Sequence, residues 1–301
     1  MPTESVAVVR PGSSNGDAAR PARVLLFWDY DTQWGADRSR ESAGRADWGR
    51  LEFEFTERIL ELLQRYEVPA CFAVVGSAAL PGTRPYHDPS QVRQIHAAGH
   101  EVASHSHRHE WLPALGREAL RETLSRSKEA LEQCIGSVVT SFVPPWNQPF
   151  DYPAGWSFSL SERRQAKGER TDLRRLCETL RETGYDFCRV AYRSLYQQLA
   201  HRLGKRRYEH TGPPEVIEGI ACVRLSTEAG FGPDALRVLE RCIERRSLAI
   251  LYGHPHSLQG GDGQHERCLE PFLARLQELR SRGAVQVVRP RDLMNGAKGA
   301  F

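Results

Sequence analysis

The sequence predicts an α/β protein organised on a parallel sheet, either a barrel or a doubly wound fold. Short apolar runs of four to six residues alternate with segments whose apolar residues recur at helical spacing, from residue 24 to residue 288. A length of 301 residues accommodates one large domain of this kind or two small ones. The residues that carry chemistry fall at the ends of predicted strands, where parallel folds gather their sites.

Residues 1–21 are rich in Pro, Gly, Ser and Ala and read as a disordered lead-in. Val24–Asp29 is the first buried strand. Leu51–Tyr66 places apolar residues at 51, 55, 59, 60, 62 and 63, a helical stripe that Val68-Pro69 ends. Ala70–Val75 is the second strand, Ser90–Ala98 a helix stopped by Gly99, and His100–Ser104 a brief strand. A long helix follows, with leucines at 115, 120, 124 and 131, and then a strand over Val138–Val143 that Pro144-Pro145 cuts off. Further on, helices are predicted over Leu173–Thr183, Asp234–Arg245 and Glu266–Arg282. Strands are predicted over Tyr185–Val190, Ile220–Leu225, Ser247–Tyr252 and Val285–Val288. Residues 146–170 and 192–218 are long polar stretches of the kind that form lids or binding loops.

Composition narrows the partners. With 41 basic against 38 acidic residues the formal charge is +3, which gives no reason to expect nucleic acid or a membrane surface. No run approaches the roughly 20 apolar residues of a membrane span, and the N-terminus lacks an apolar core for a signal peptide. Seven cysteines form no CxxC pair and read as free thiols in a reducing compartment, so a cytoplasmic enzyme is expected.

Three short segments carry the candidate chemistry. His105-Ser-His-Arg-His109 puts three histidines in five residues; if the segment turns helically, His105 and His109 share a face and can grip one metal, while His107 points elsewhere. A polar helix start with incidental histidines would read the same way. Phe27-Trp-Asp-Tyr-Asp31 puts Asp29 and Asp31 on one side of a strand end, as ligand and base or as a solvated turn. Leu251-Tyr-Gly-His-Pro-His256 offers His254 or His256 as a proton donor, or a structural histidine. Two histidines and one aspartate form a three-ligand set that leaves positions open, as a catalytic metal requires.

These segments resemble the NodB-homology polysaccharide deacetylases, carbohydrate esterases on a distorted (β/α)7-type barrel. Asp29 and Asp31 match the first motif, in a spaced rather than adjacent form. His105-Ser106 with His109 matches the second, Phe142-Val-Pro-Pro-Trp146-Asn147 resembles the third, and Leu251–His254 matches the last. The matches follow the family's order from about residue 24 to residue 256. Two departures stand out. Val143 lies near the place of an arginine that braces the base aspartate in many members, and the fourth motif, an aspartate and a tryptophan, has no counterpart identified.

The resemblance implies a single barrel domain over residues 22–301 and a metal-dependent deacetylase. Asp31, His105 and His109 would hold Zn²⁺, or Co²⁺, Ni²⁺ or Mn²⁺, with Asp29 as base and His254 as acid. Trp146, Asn147, Tyr30 and His256 would line the substrate site, and a backbone N–H near Trp146 would hold the oxyanion. The substrate would be an N-acylated amino sugar, a sugar nucleotide or a biosynthetic intermediate. The basic run His201–His210 would bind a phosphate group or form a solvated helix face. The alternatives are a formyl-amide or cyclic-amide hydrolase on the same fold, with or without metal, and a non-catalytic carbohydrate-binding homologue. The oligomeric state is not implied.

Overall fold

β1 (Ala22–Tyr30) is the hub of the structure. Its sequence ARVLLFWDY is apolar on both faces, as a strand covered on both sides must be. In the computed structural model, which describes residues 20–39, 47–147, 173–191, 210–260 and 263–298, β1 pairs in parallel with three strands. β2 (Cys71–Val74) takes Phe27–Tyr30, β8 (Leu248–Gly253) takes Arg23–Trp28 on the opposite edge, and β9 (Val285–Val287) takes Ala22–Val24.

From β2 the sheet continues in parallel through β3 (Glu101–Ser104), β4 (Ser141–Phe142), β5 (Phe187–Val190) and β7 (Ile220–Arg224). β6 (Glu215–Ile217) pairs antiparallel to β7 through a tight turn, where Glu218 and Gly219 take positive φ of 50° and 84°. The far edges then meet. Ser226 N–H donates to Ile250 O at 2.9 Å, Ile250 N–H donates to Ser226 Oγ at 2.9 Å, and Gly230 N–H donates to Tyr252 O at 2.9 Å. Seven of the parallel strands thus curl into a distorted barrel of the expected (β/α)7 type, whose β7–β8 seam carries no strand pairing and is bridged by these bonds from the segment after β7.

The alternation along β1 sorts its side chains. Leu25 and Phe27 point into the barrel with Ala73, Val143, Phe187 and Ile250. Val24, Leu26, Trp28 and Tyr30 face the helical layer. Burying a side chain such as Phe27 contributes roughly 1.5–3 kcal/mol.

Eight helices are described: α1 (Thr32–Ser39), α2 (Trp48–Arg65), α3 (Pro89–Ala97), α4 (Arg117–Ile135), α5 (Leu173–Glu182), α6 (Pro233–Glu244), α7 (Glu266–Ser281) and α8 (Pro290–Lys298). α3 starts on Asp88, whose side chain accepts the Gln91 N–H at 2.9 Å, with Pro89 at the first helical position. α8 places Leu293 in the barrel interior and closes its floor, where Arg291 N–H donates to Glu101 Oε2 at 2.9 Å. Helix α1, strand β6 and helix α8 are additions to the elements read from the sequence. No helix among the described residues is long and apolar enough to cross a membrane. The lead-in, apart from its last two residues, and most of the basic run, residues 201–209, lie outside the described residues.

Candidate functional site

The carboxyl ends of β1, β3, β4, β5 and β8 converge on one mouth. Asp29 is the last inward-facing residue of β1, and Asp31 follows the strand at the entry to α1. Gly35, one turn on, packs against the Asp31 side chain so closely that an added Cβ would lie 2.5 Å from Asp31 Cβ. That contact permits only glycine and fixes the Asp31 carboxylate.

His105 leaves β3 directly. The expected helical turn over 105–109 is instead an irregular turn, with Ser106 at φ 63° and His109 at φ 57°. Ser106 Oγ accepts the Glu110 N–H at 3.1 Å and stabilises that shape. The two imidazoles still meet at one carboxylate. His105 Nε2 lies 3.2 Å and His109 Nε2 3.5 Å from Asp31 Oδ1. His107 turns away, with Nε2 3.3 Å from Ser77 Oγ.

The donor chemistry of this trio asks for a cation. His105 Nδ1 lies 2.7 Å from the Val143 carbonyl, which can only accept, so Nδ1 carries the proton. In the neutral ring Nε2 is then an acceptor facing another acceptor, Asp31 Oδ1, which has no hydrogen-bond partner. Such a pair repels unless a proton or a metal ion lies between. Tetrahedral ligands at about 2.0–2.1 Å from a zinc ion stand about 3.3 Å apart, and the two observed separations bracket that distance. One ligand atom from each of the three residues lies within 4.8 Å of the others. The residues therefore fit a small divalent ion with nitrogen and oxygen donors.

Electrostatics reinforce the arrangement. Burial raises the Asp31 carboxyl, but His109 and His105 outweigh it and hold the group below the usual carboxylate range. Burial pulls His109 down to about 4 against the pull of Asp31, so its ring is neutral with a lone pair to offer. Burial lowers His105 as well, but Asp31 and Asp29 overcome it and the ring is drawn toward positive charge.

Asp29 lies beside this trio on Arg189, a residue not singled out from the sequence. The Arg189 Nη2 donates to Asp29 Oδ2 at 2.6 Å and to Asn147 Oδ1 at 2.7 Å. Arg189 is fully buried on β5, with its guanidinium 5.0 Å from the Phe27 ring and 4.6 Å from the Tyr252 ring. Burial raises the Asp29 carboxyl, but Arg189 holds it below its ordinary value, with His105 and His254 adding to the effect. The brace that Val143 cannot supply is thus provided from a neighbouring strand. An arginine inside the apolar run Tyr185–Val190 was the available signal, since a cation in a buried strand requires an anionic partner.

His254, at the exit of β8, points its Nε2 to within 3.9 Å of Asp29 Oδ2 and keeps a quarter of its side chain exposed. Its Nδ1 lies 3.0 Å from Gln264 Oε1, which orients the ring. Trp146, half-buried at φ 53°, packs edge-on against His109 at 4.4 Å and against Trp111 at 5.6 Å. Two of the residues expected at the substrate wall are placed elsewhere. Tyr30 lies on the opposite face of β1, in the helical layer, with its hydroxyl on Gln91 Oε1 at 2.8 Å, because side chains alternate and Asp29 takes the inward direction. His256 packs on α2, stacked on Trp48 at 4.6 Å with Nδ1 3.0 Å from Glu52 Oε2. Asn147 reaches the site through Arg189.

The chain is similar to known proteins in sequence over part of its length and in fold over nearly all of it. The polysaccharide deacetylase family model matches residues 47–151, a stretch that holds His105, His109, Trp146 and Asn147. The chain is 31% identical over 98 residues to the uncharacterized protein YlxY of Bacillus subtilis, covering 33% of this chain and 28% of that one. It is 34% identical over 77 residues to a chitooligosaccharide deacetylase of Sinorhizobium fredii, covering 26% of this chain and 33% of that one. The chain thus spans about a third of the length of the curated relatives it matches. Its fold is similar to the crystal structure of a protein assigned as a polysaccharide deacetylase from Mycobacterium smegmatis, with a TM-score of 0.63 and 19% identity over 99% of this chain and 95% of that one. Over residues 47–151 the chain is thus similar to the polysaccharide deacetylase family, and over nearly its whole length it shares the fold of the Mycobacterium smegmatis protein.

Proposed function

We propose that this chain is a metal-dependent deacetylase that hydrolyses the N-acetyl amide of an amino-sugar substrate. The observation that carries the reading is the convergence of Asp31, His105 and His109, with one ligand atom from each within 4.8 Å of the others, set beside a braced carboxylate and an oriented histidine. Asp31, His105 and His109 would hold the ion, zinc by preference, with cobalt, nickel or manganese as substitutes. When bound, such an ion polarises the acyl oxygen and makes water a nucleophile at neutral pH.

The chain's own groups supply the proton transfers. Asp29, kept ionised by Arg189, takes a proton from the attacking water. His254 donates to the departing amine, which leaves poorly as an anion; its Nδ1 is committed to Gln264, so the proton is delivered from Nε2. His254 rather than His256 fills this role, because His256 is buried against Glu52. In the turn 144–147 the Asn147 N–H donates to Pro144 O at 3.0 Å and the two prolines have no N–H, which makes the Trp146 N–H the candidate oxyanion donor. The half-buried Trp146 offers an apolar edge for a sugar ring.

None of the seven cysteines forms a disulfide and five are buried, which fits a reducing compartment and hence a soluble, intracellular substrate such as a sugar nucleotide. The intact trio argues against a metal-free cyclic-amide hydrolase, and Asp29 together with His254 argues against a binding-only homologue. Acetate release from N-acetylglucosamine oligomers and from a UDP-linked N-acetyl sugar, measured with added zinc or cobalt, tests the reading. Turnover of either substrate that disappears in Asp29→Asn supports it. Hydrolysis of neither N-acetyl substrate, with release of formate from an N-formyl sugar, would replace it with the formyl-amide alternative.

A further inference from the structure

One buried carboxyl next to the mouth has no part in the proton transfers above. Glu52 is fully buried on α2, on the face that also buries Gly49, Thr56, Ile59 and Leu63. A carboxyl placed in an apolar helix face costs several kcal/mol unless it has a partner, and a leucine there would serve packing better. Its side-chain partner is His256, whose Nδ1 lies 3.0 Å from Glu52 Oε2, and the Asp31 backbone adds a hydrogen bond. Trp48, one turn earlier on the same helix, stacks on the same imidazole with rings 4.6 Å apart and 19° from parallel. α2 thus grips His256 at an edge and at a face.

His256 in turn is tied to His254. Only Pro255 separates them, its φ is fixed by the pyrrolidine ring, and the short helical turn Pro255–Ser257 follows directly. The two imidazoles lie 5.2 Å apart. The His254 ring is held on one side by Gln264 and on the other by the segment that Glu52 anchors. We propose that Glu52 is a positioning residue for the general acid: acting through His256, it fixes the His254 ring within reach of the leaving nitrogen. This rests on the deacetylase reading given above.

The test separates acid placement from general damage by varying the leaving group. An N-acetylglucosamine oligomer needs protonation of its amine as it leaves, whereas 4-nitrophenyl acetate releases a stable anion and needs none. Glu52→Ala is expected to lower kcat on the oligomer about 10- to 100-fold, the range typical of lost supporting contacts. KM, bound zinc per chain and the rate on 4-nitrophenyl acetate are expected to stay within about twofold of wild type. Glu52→Gln, which retains an acceptor for His256 Nδ1, is expected to restore most of the amide activity. In a His254→Ala background, Glu52→Ala is expected to add no further loss, since both changes then act through one group. Should Glu52→Ala not fold, Trp48→Leu removes the stacking half of the grip and is read in the same way. An equal loss on both substrates, a loss of zinc, or full amide activity in Glu52→Ala would each overturn the proposal. Wild-type protein inactive on both substrates would overturn the deacetylase reading instead.

Discussion

The two rims of the barrel treat buried polar groups in opposite ways. At the floor, Glu101 uses both carboxyl oxygens: Oε1 accepts from Ser141 Oγ at 2.5 Å and Oε2 from the Arg291 N–H at 2.9 Å. His100 Nδ1 accepts the Ala70 N–H at 3.2 Å, and Arg289 spans Asp292 and the Gly99 carbonyl. At the mouth, Asp29 Oδ1, Asp31 Oδ1, His109 Nδ1 and both Arg189 Nε and Nη1 are buried without a hydrogen-bond partner. Unsatisfied buried groups are costly, so their concentration at one rim marks a site that a ligand completes, whereas the floor is finished by the chain itself. The floor is not perfect, since Asp186 Oδ1 and Ser247 Oγ near it also lack partners. The cluster of five such atoms around Asp31, His105 and His109 has no counterpart there among the described residues.

The most forceful way to break this contrast is to remove the cation the mouth already contains. Arg189→Met would leave Asp29 buried and unpaired, and about 3–5 kcal/mol of stability is expected to be lost, read by urea unfolding. Adding Asp29→Asn to that variant should restore part of the stability while activity stays absent. A cost below about 1 kcal/mol for Arg189→Met would show that the ion pair is solvated and the mouth no different from the surface.

A smaller change probes the metal ligand alone. Gly35→Ala puts a methyl group into the Asp31 side chain, so zinc affinity is expected to fall about tenfold or more by competition titration, with little change in the circular dichroism of the fold. Unchanged affinity would mean that Asp31 is free to move and does not set the site.

The floor yields the most gradual effect. Burial, with Arg289 nearby, lowers His100 to about 4, so the folded state favours the neutral ring that accepts the Ala70 N–H. A folded value below the ordinary one means this contribution is complete above about pH 6.5 and is lost as pH falls from there toward 4. Wild type is expected to lose about 2–3 kcal/mol more stability than His100→Gln across that window in urea unfolding. Parallel pH profiles for the two proteins would show that His100 is not held neutral by the fold.

Much of this was legible in the residues. The alternation of apolar runs and helical stripes marked the strands of the barrel, because buried parallel strands must be apolar on both faces. The structure brings Asp29, Asp31, His105, His109 and His254 together at one mouth, as their places at strand ends imply. Other features were hidden for particular reasons. α1, with the sequence TQWGADRS, has no apolar stripe and is held by packing on α2, where Gly49 lies against Gln33. The turn over 105–109 depends on positive φ at Ser106 and His109, which neither residue type announces. Tyr30 was a legible error, since strand alternation sends it away from Asp29. Glu52 lies one residue from Leu51 within the helical stripe, and an acidic residue there is visible in sequence only as an interruption.

The central claim is that the acceptors of Asp31, His105 and His109 form a cation site, and calorimetric titration of zinc into chelator-stripped protein tests it most directly. Wild type should bind one ion per chain with a stabilised fold, and His105→Ala/His109→Ala should bind none while remaining folded. Equal binding by the two proteins, or none by either with zinc and with cobalt, would contradict the account.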